Sequence, residues 1–293
     1  MLFRPADGYH WCRGRYPQGD GPLNNPASSI HPLPTGISMR ELERDLPPNS
    51  GTNVAVLGAG RLGSALVGAL RSAGYSVDGP LARGAAPREA DVVLLCVPDQ
   101  EIAVAARSLP GGPLVGHCSG ATGLAALAPH EAFSLHPLMT VTAQGASFQD
   151  AGAAIAGTTD RALAMARELA LSLGLRPVEI AEGDRVAYHA AASMASNFLV
   201  TLEAAAELMA GTAGVDRALL VPLVRATVEN WAALGSERAL TGPVARGDEA
   251  TVDRQRAEVA TRTPELLELF DALTDATRAL AHGTQRHLAE VAR

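Results

Sequence analysis

A doubly wound, mostly parallel α/β sheet followed by an all-helical C-terminal domain is the architecture that the sequence predicts. Three observations carry it. Short apolar runs alternate with glycine turns and helical stretches from residue 52, Asp91–Pro98 is an almost uninterrupted apolar run, and helical spacing takes over after residue 157. Apolar runs without alternation suit parallel strands buried on both faces. At 47% hydrophobic and 19% charged, the 293-residue chain can bury a core of that size.

Residues 1–50 hold 8 of the 19 prolines together with Gly, Asn and Ser clusters, and they show no sustained periodicity. They are expected to be a disordered extension without a signal core. Met39 opens Met-Arg-Glu-Leu-Glu-Arg-Asp-Leu just ahead of the first strand, which makes Met39 the expected natural start. Asn53–Leu57 reads as a strand, and Gly58-Ala59-Gly60-Arg61-Leu62-Gly63 leads into a helix over 64–72. Gly74 closes that helix. Strands are expected at 75–82, 91–98, 114–117, 132–135 and 153–157, ending a domain over 51–157. Residues 108–149 carry a single charged side chain, Glu131, so this stretch should be interior or line a pocket.

A helical substrate and dimerisation domain is expected over 158–293. Helices are predicted at 160–173, 184–210, 216–234 with a kink at Pro222, and 248–260, with a strand at 177–180. The last helix has Thr263 as N-cap, Pro264 as its first residue and Gly283 past its end. No internal repeat is present.

A net charge of -7 argues against a nucleic-acid face or a polybasic membrane anchor, since both need clustered positive charge. Val186–Leu202 lacks Asp, Glu and Arg, but it is short for a membrane span and contains His189, Ser193, Ser196 and Asn197. Cys12, Cys96 and Cys118 lack the spacing of a zinc site or a disulfide framework, so no metal is expected and a reducing cytoplasm fits. All 24 basic residues are arginines. Without lysine there can be no Schiff-base amine, no lysine-containing phosphate loop and no lysine proton donor. A GC-rich genome would account for that composition; the chemical exclusion holds either way.

The G-x-G-x-x-G run lies between a predicted strand and a predicted helix, the context a dinucleotide site requires. Gly58 permits the tight turn, Gly60 lets backbone approach a pyrophosphate, and Gly63 lets helix and strand pack closely. The helix N-terminus, with Ala59, Arg61 and Leu62 in the turn, offers unpaired N–H groups to phosphate. A glycine-rich turn of another α/β protein, such as a methyltransferase, is the competing reading. Arg83 stands at the end of the second strand, where an arginine would favour the 2′-phosphate of NADP, unless it is simply a solvated surface arginine. Asp78, at the spacing of an NAD ribose selector, is expected inside the strand.

Val97-Pro-Asp99, His117-Cys-Ser-Gly-Ala121, Ser134-Leu-His-Pro-Leu138, the stretch Tyr188–Asn197 and Leu240–Asp248 complete a set of motifs. With the Gly58–Gly63 turn, the chain resembles the ketopantoate reductase and 6-phosphogluconate dehydrogenase-like superfamily, a Rossmann domain followed by a helical domain. Within it the motifs resemble a bacterial subgroup with a C-terminal domain of unknown function, which includes an alternative type of ketopantoate reductase. The resemblance covers most of 52–290. In ketopantoate reductases the long helix carries Lys-x-x-x-Asn-x-x-x-Asn, and the matching positions here read His189, Ser193 and Asn197. The missing lysine leaves His189 as the implied proton donor.

Residues four apart advance about 40° around a helix, so His189, Ser193 and Asn197 form one stripe about 12 Å long, with Ser196 beside it. Hydride delivery to a carbonyl leaves alkoxide charge, which an imidazole is suited to quench. The alternative is a histidine buried in an Ala-rich interface. Ser119 and Gly120 follow a strand at its carboxyl end, and the Ser119 hydroxyl either touches nicotinamide or substrate or caps a helix starting near Ala121. His136 is expected to line the pocket, and Val97 and Pro98 either pack on the cofactor or end a strand. Arg246 is the candidate for a substrate carboxylate, in its own or a partner's pocket, ahead of Arg61; pairing with Asp248 competes. Cys96 and Cys118 read as small core residues.

The expected activity is NADP-dependent (NADPH) reduction of a small 2-keto acid, plausibly 2-dehydropantoate to pantoate, in a homodimer. Reduction of another carbonyl or an imine, and a non-catalytic NADP-binding sensor, are the alternatives.

Overall fold

The structure, a computed structural model, describes residues 51–82, 84–142 and 145–291, with side chains to Gly283. The expected disorder of 1–50, the start at Met39, Cys12 and Arg83 lie outside the described residues. Seven strands form one sheet: β1 (Asn53–Leu57), β2 (Ser76–Leu81), β3 (Val92–Leu95), β4 (Leu114–His117), β5 (Ala132–Leu138), β6 (Gly152–Gly157) and β7 (Arg176–Glu179). Their order is β2-β1-β3-β4-β5-β6-β7, and every pairing is parallel except β5 with β6.

Period-two alternation assigns the two faces of the sheet. Val54, Val56, Leu94, Leu114 and Phe133 point to one face, under α1 (Arg61–Ser72) and α3 (Asp160–Ser172). Ala55, Leu57, Val93, Leu95 and Val115 point to the other, under α2 (Asp99–Arg107) and a 3-10 turn at Leu124–Leu127. The apolar-run reading passes over α2, although Pro98 followed by Asp99 and Glu101 is a helix start. β5 runs on to Leu138, so His136 and Pro137 lie within a strand. β7 belongs to the same sheet, so the sheet layer extends beyond the boundary expected after 157. The reason is α3, whose stripe of Ala162, Ala166, Leu169 and Ala170 is buried against it.

The chain then becomes helical. α4 (Arg185–Ser193) passes through a π-helical turn, Met194–Phe198, into α5 (Leu199–Gly211). α6 (Arg217–Leu234) continues through Pro222. Two short helices, α7 (Ser236–Ala239) and α8 (Pro243–Arg246), precede α9 (Glu249–Arg262). A 3-10 turn at Pro264–Leu266 leads into α10 (Leu267–Val291). Two expectations need correcting here. Thr263 does not cap with its side chain; its hydroxyl donates to Met209 Sδ at 3.4 Å. Gly283 does not end the last helix, because one glycine costs a helix only about 1 kcal/mol.

α4 buries Arg185, and α5 and α6 bury no residue. Among the described residues, no helix is long and apolar enough to cross a membrane.

Packing between β4 and β5 leaves no room for a side chain at Gly116. Gly116 pairs with Phe133, and a Cβ on Gly116 would sit 2.4 Å from that ring. Gly116→Ala is expected to lower stability by about 1–3 kcal/mol in urea unfolding, with part of the loss recovered when Phe133 is replaced by leucine.

Candidate functional site

The strand order turns back at β1, with β2 on one side and β3 on the other, so a crevice opens at the carboxyl ends of β1 and β3. The glycine turn occupies it. Gly58 has φ +119°, and a Cβ there would lie 2.2 Å from the Cys96 carbonyl oxygen. A Cβ on Gly63 would lie 1.9 Å from the Gly58 oxygen. Only glycine fits at both positions. Gly60 differs: its φ is -75° and an added Cβ would meet nothing within 4 Å. Backbone is thus bare and open at the mouth of α1, which has no side-chain cap. Such an N-terminus fits a phosphate.

Around this turn, Arg61 is exposed at the start of α1, while Ala59 is exposed and Leu62 half-buried. Val97 is half-buried against the second core cluster, and Pro98 precedes α2 as its N-cap residue. Asp78 lies within β2, as expected, where it accepts from the Arg88 amide at 3.1 Å.

The same sheet edge carries a second cluster. His136 Nδ1 lies 2.8 Å from the Tyr188 hydroxyl, and the His136 and His189 rings meet edge-on with centroids 6.1 Å apart. Gly120 sits between them: a Cβ there would be 2.7 Å from His189 Cδ2 and 2.9 Å from His136 Cε1. Three expected site residues, Gly120, His136 and His189, are therefore brought together from the loop after β4, from β5 and from α4. Ser193 and Ser196 are half-buried further along the helix, and Asn197 is exposed within the π-helical turn. Among the described residues neither His189 nor His136 Nε2 makes a hydrogen bond.

Ser119 is engaged differently from the expected ligand contact. Its hydroxyl donates to Asp99 at 2.7 Å and accepts from the Ala121 and Thr122 amides. One donor and two acceptor positions are then used, so touching a ligand would require breaking one of these bonds. No α-helix starts at Ala121; Ser119 caps a turn. Arg246 is exposed on α8, which packs against α9 and α10, and its charge helps to hold the Asp248 carboxyl below its ordinary range, after the hydrogen bonds from Thr251. Arg254 acts on that carboxyl ahead of Arg246, and among the described residues no hydrogen bond or ion pair joins Arg246 to Asp248.

Sequence reasoning passed over the polar layer beneath the cluster. Arg185 is 2% exposed; it donates to Ser134 Oγ at 2.9 Å and faces Glu182 at 3.4 Å. A lone arginine opening an otherwise uncharged helix was the available signal. His117 is fully buried, and its Nδ1 accepts from the Ser119 amide at 3.2 Å, which puts the proton on Nε2. Burial, then the Arg185 charge, push His117 down to about 4 against the Gly123 backbone, Asp99 and Glu182. His136 falls to about 4 through burial and the charges of His189 and Arg185, with Asp99 opposing. Burial raises Tyr188. Cys96 and Cys118 sulfurs lie 3.8 Å apart; the hydrogen bond to Cys96 and burial push the Cys118 thiol up, away from nucleophilic use. Among the described residues, no group of three or more metal-binding side chains is present.

The depressed histidines make acid destabilising. Between about pH 6.5 and 4 the unfolded chain binds the His117 proton and the folded chain does not. Stability from this site is full above pH 6.5 and is lost as pH falls, by about 3 kcal/mol at most. Urea unfolding at pH 7.5, 6 and 5 is expected to show a shallower fall for His117→Gln than for the wild type.

Residues 151–277 match a family model described as a domain of unknown function, DUF2520. No curated protein matches the chain. Among solved structures, a Bacteroides fragilis protein described as an NADP oxidoreductase is 19% identical with a TM-score of 0.68, covering 78% of this chain and 98% of its own. Protein TM1727 of Thermotoga maritima is 24% identical with a TM-score of 0.66, covering 79% and 99%. The reductive aminase of Aspergillus terreus, in complex with NADPH and ethyl levulinate, is 14% identical with a TM-score of 0.58, covering 80% and 95%. At these identities the likeness establishes the fold.

Proposed function

We propose that the chain is an NADP-dependent reductase of a small carbonyl compound, with 2-dehydropantoate as the 2-keto acid to test first. The observation that carries this reading is that the open glycine turn and the Gly120, His136 and His189 cluster share one sheet edge. Gly58, Gly60 and Gly63 would hold the pyrophosphate at the N-terminus of α1, Val97 and Pro98 would flank the nicotinamide half, and Arg83 would meet the 2′-phosphate. NADPH supplies a hydride when bound. The solved neighbours described as NADP oxidoreductase and as an NADPH complex support this choice of cofactor.

On the substrate side, His189 donates the proton to the carbonyl oxygen as negative charge develops there. Ser193 and Ser196, half-buried on the same helix, would orient the substrate, and Asn197, exposed in the π-helical turn, would reach it only from the turn's outer side. A charged partner for a substrate carboxylate remains Arg246, from this chain or a second copy. We assign a homodimer because Val186, Phe198, Val200, Leu219, Leu223 and Trp231 are all exposed on α4 to α6. A groove of about 550 Å³ lies between α5, α9 and α10, lined by Leu202, Met209, Val259, Phe270 and Leu273.

In a screen of NADPH oxidation against 2-keto acids, turnover is expected with the wild type. His189→Ala should lower kcat by about 10²–10⁴-fold while keeping nucleotide affinity. Gly60→Ala fits the open backbone, so it should keep the wild-type melting temperature while weakening NADPH at least about tenfold by fluorescence titration. Arg83→Ala should weaken NADPH more than NADH. Nucleotide binding without turnover on any carbonyl or imine would favour a sensor instead. Light scattering should give twice the 30.2 kDa chain mass.

A further inference from the structure

We infer that Tyr188 fixes His136 as its Nε2–H tautomer, so that the site over Gly120 is built to receive a hydrogen-bond acceptor oxygen, carbonyl or carboxylate, rather than a protonated imine. The inference rests on the reductase reading for its substrate. Its structural part stands alone.

Tyr188 and His136 are the partners of one hydrogen bond, 2.8 Å between the phenol oxygen and Nδ1. Two directions are possible for that proton. When both partners are neutral, the phenol O–H is the stronger donor and the imidazole lone pair the stronger acceptor, so the proton belongs to Tyr188 and Nδ1 accepts. Burial acts in the same sense on both groups, disfavouring tyrosinate and imidazolium alike. A neutral ring whose Nδ1 accepts must carry its hydrogen on Nε2.

That Nε2 has no partner among the described residues, and the ring edge bearing it faces Gly120. A Cβ on Gly120 would lie 3.0 Å from His136 Nε2 and 2.7 Å from His189 Cδ2, so only glycine leaves this edge clear. The charged and titratable groups acting on His136 are His189, Arg185 and Asp99. Asp99 accepts from Ser119, and Arg185 is a buried cation that faces Glu182 at 3.4 Å. The selectivity lies in the donor itself: an Nε2–H meets a lone pair on a carbonyl or carboxylate oxygen, whereas a protonated iminium offers only another N–H and no acceptor. Tyr188 acts through His136 and is a positioning residue; His136 is the group that touches substrate.

The test is ring-nitrogen NMR on uniformly ¹⁵N-labelled full-length protein at pH 7, with His136 assigned through His136→Gln. Nε2 should be protonated and Nδ1 not. In Tyr188→Phe, which keeps the ring and its packing, the His136 nitrogens should move toward a mixture of tautomers while circular dichroism stays unchanged. A wild-type His136 carrying its proton on Nδ1, or on both nitrogens, overturns the inference, as does a tautomer unaffected by Tyr188→Phe. With NADP⁺ present, oxamate should shift the Nε2 proton saturably and propylamine should not, and Tyr188→Phe should weaken oxamate about tenfold. An Nε2 signal indifferent to oxamate overturns the assignment of an acceptor oxygen. The tautomer result requires no turnover, so a failed NADPH-oxidation screen would remove the reductase reading and leave the tautomer assignment in place.

Discussion

The guanidinium of Arg185, buried and hydrogen-bonded to Ser134 on β5, is what seats α4 on the sheet. Residues three and four positions on share its face of the helix, so pinning Arg185 also points Tyr188 and His189 at the sheet edge. The bond is an expensive way to join two elements. A buried ion loses much of its hydration, Arg185 Nε makes no hydrogen bond, and Glu182 opposite is largely exposed. An apolar residue would hold α4 with less desolvation but would leave no cation beneath the histidines. Arg185 therefore anchors α4 and, through its charge, also lowers His117 and His136.

The other half of the crevice is governed by backbone. At Gly58 and Gly63 the obstacles to a side chain are the carbonyl groups of Cys96 and Gly58, which cannot move aside without breaking the strand or the turn. The N-terminus of α1 is thus locked against the carboxyl ends of β1 and β3. Gly60, with open space at its Cα, is the one glycine of the three whose absent side chain serves no contact within the chain. Steric necessity explains two glycines; no contact among the described residues requires the third.

Much of this was legible in the sequence, for identifiable reasons. Strands such as Val92–Leu95 have no polar position to misread, and the turn from Gly58 to Gly63 declares itself by spacing. The meeting of Gly120, His136 and His189 follows from sheet order, given that all three stand at carboxyl ends or on the long helix. Less legible were features decided by tertiary contacts. The Ser119 hydroxyl is claimed by Asp99, from an α2 that the apolar runs concealed. Nothing in the stretch Tyr188–Asn197 assigns Tyr188 a role, because only the fold places His136 2.8 Å from its hydroxyl. Gly283 was misread because a weak local preference against helix loses to a long favourable segment.

The stripe drawn along the long helix at α-helical spacing follows the burial pattern near the sheet and departs from it beyond. From Arg185 to Ser193 the helix is regular, and Tyr188, His189 and Ser193 are half-buried as that spacing requires. The π-helical turn at Met194–Phe198 then adds about one residue, which rotates everything downstream by about 100°. Ser196 remains half-buried, Asn197 is exposed, and Val200 and Leu208 of α5 face outward. The same turn that ends the polar stripe therefore helps to present the apolar surface. A single continuous α-helix would have carried one face through its whole length. Interrupting it separates a segment that lies at the sheet edge from one whose apolar side chains are exposed.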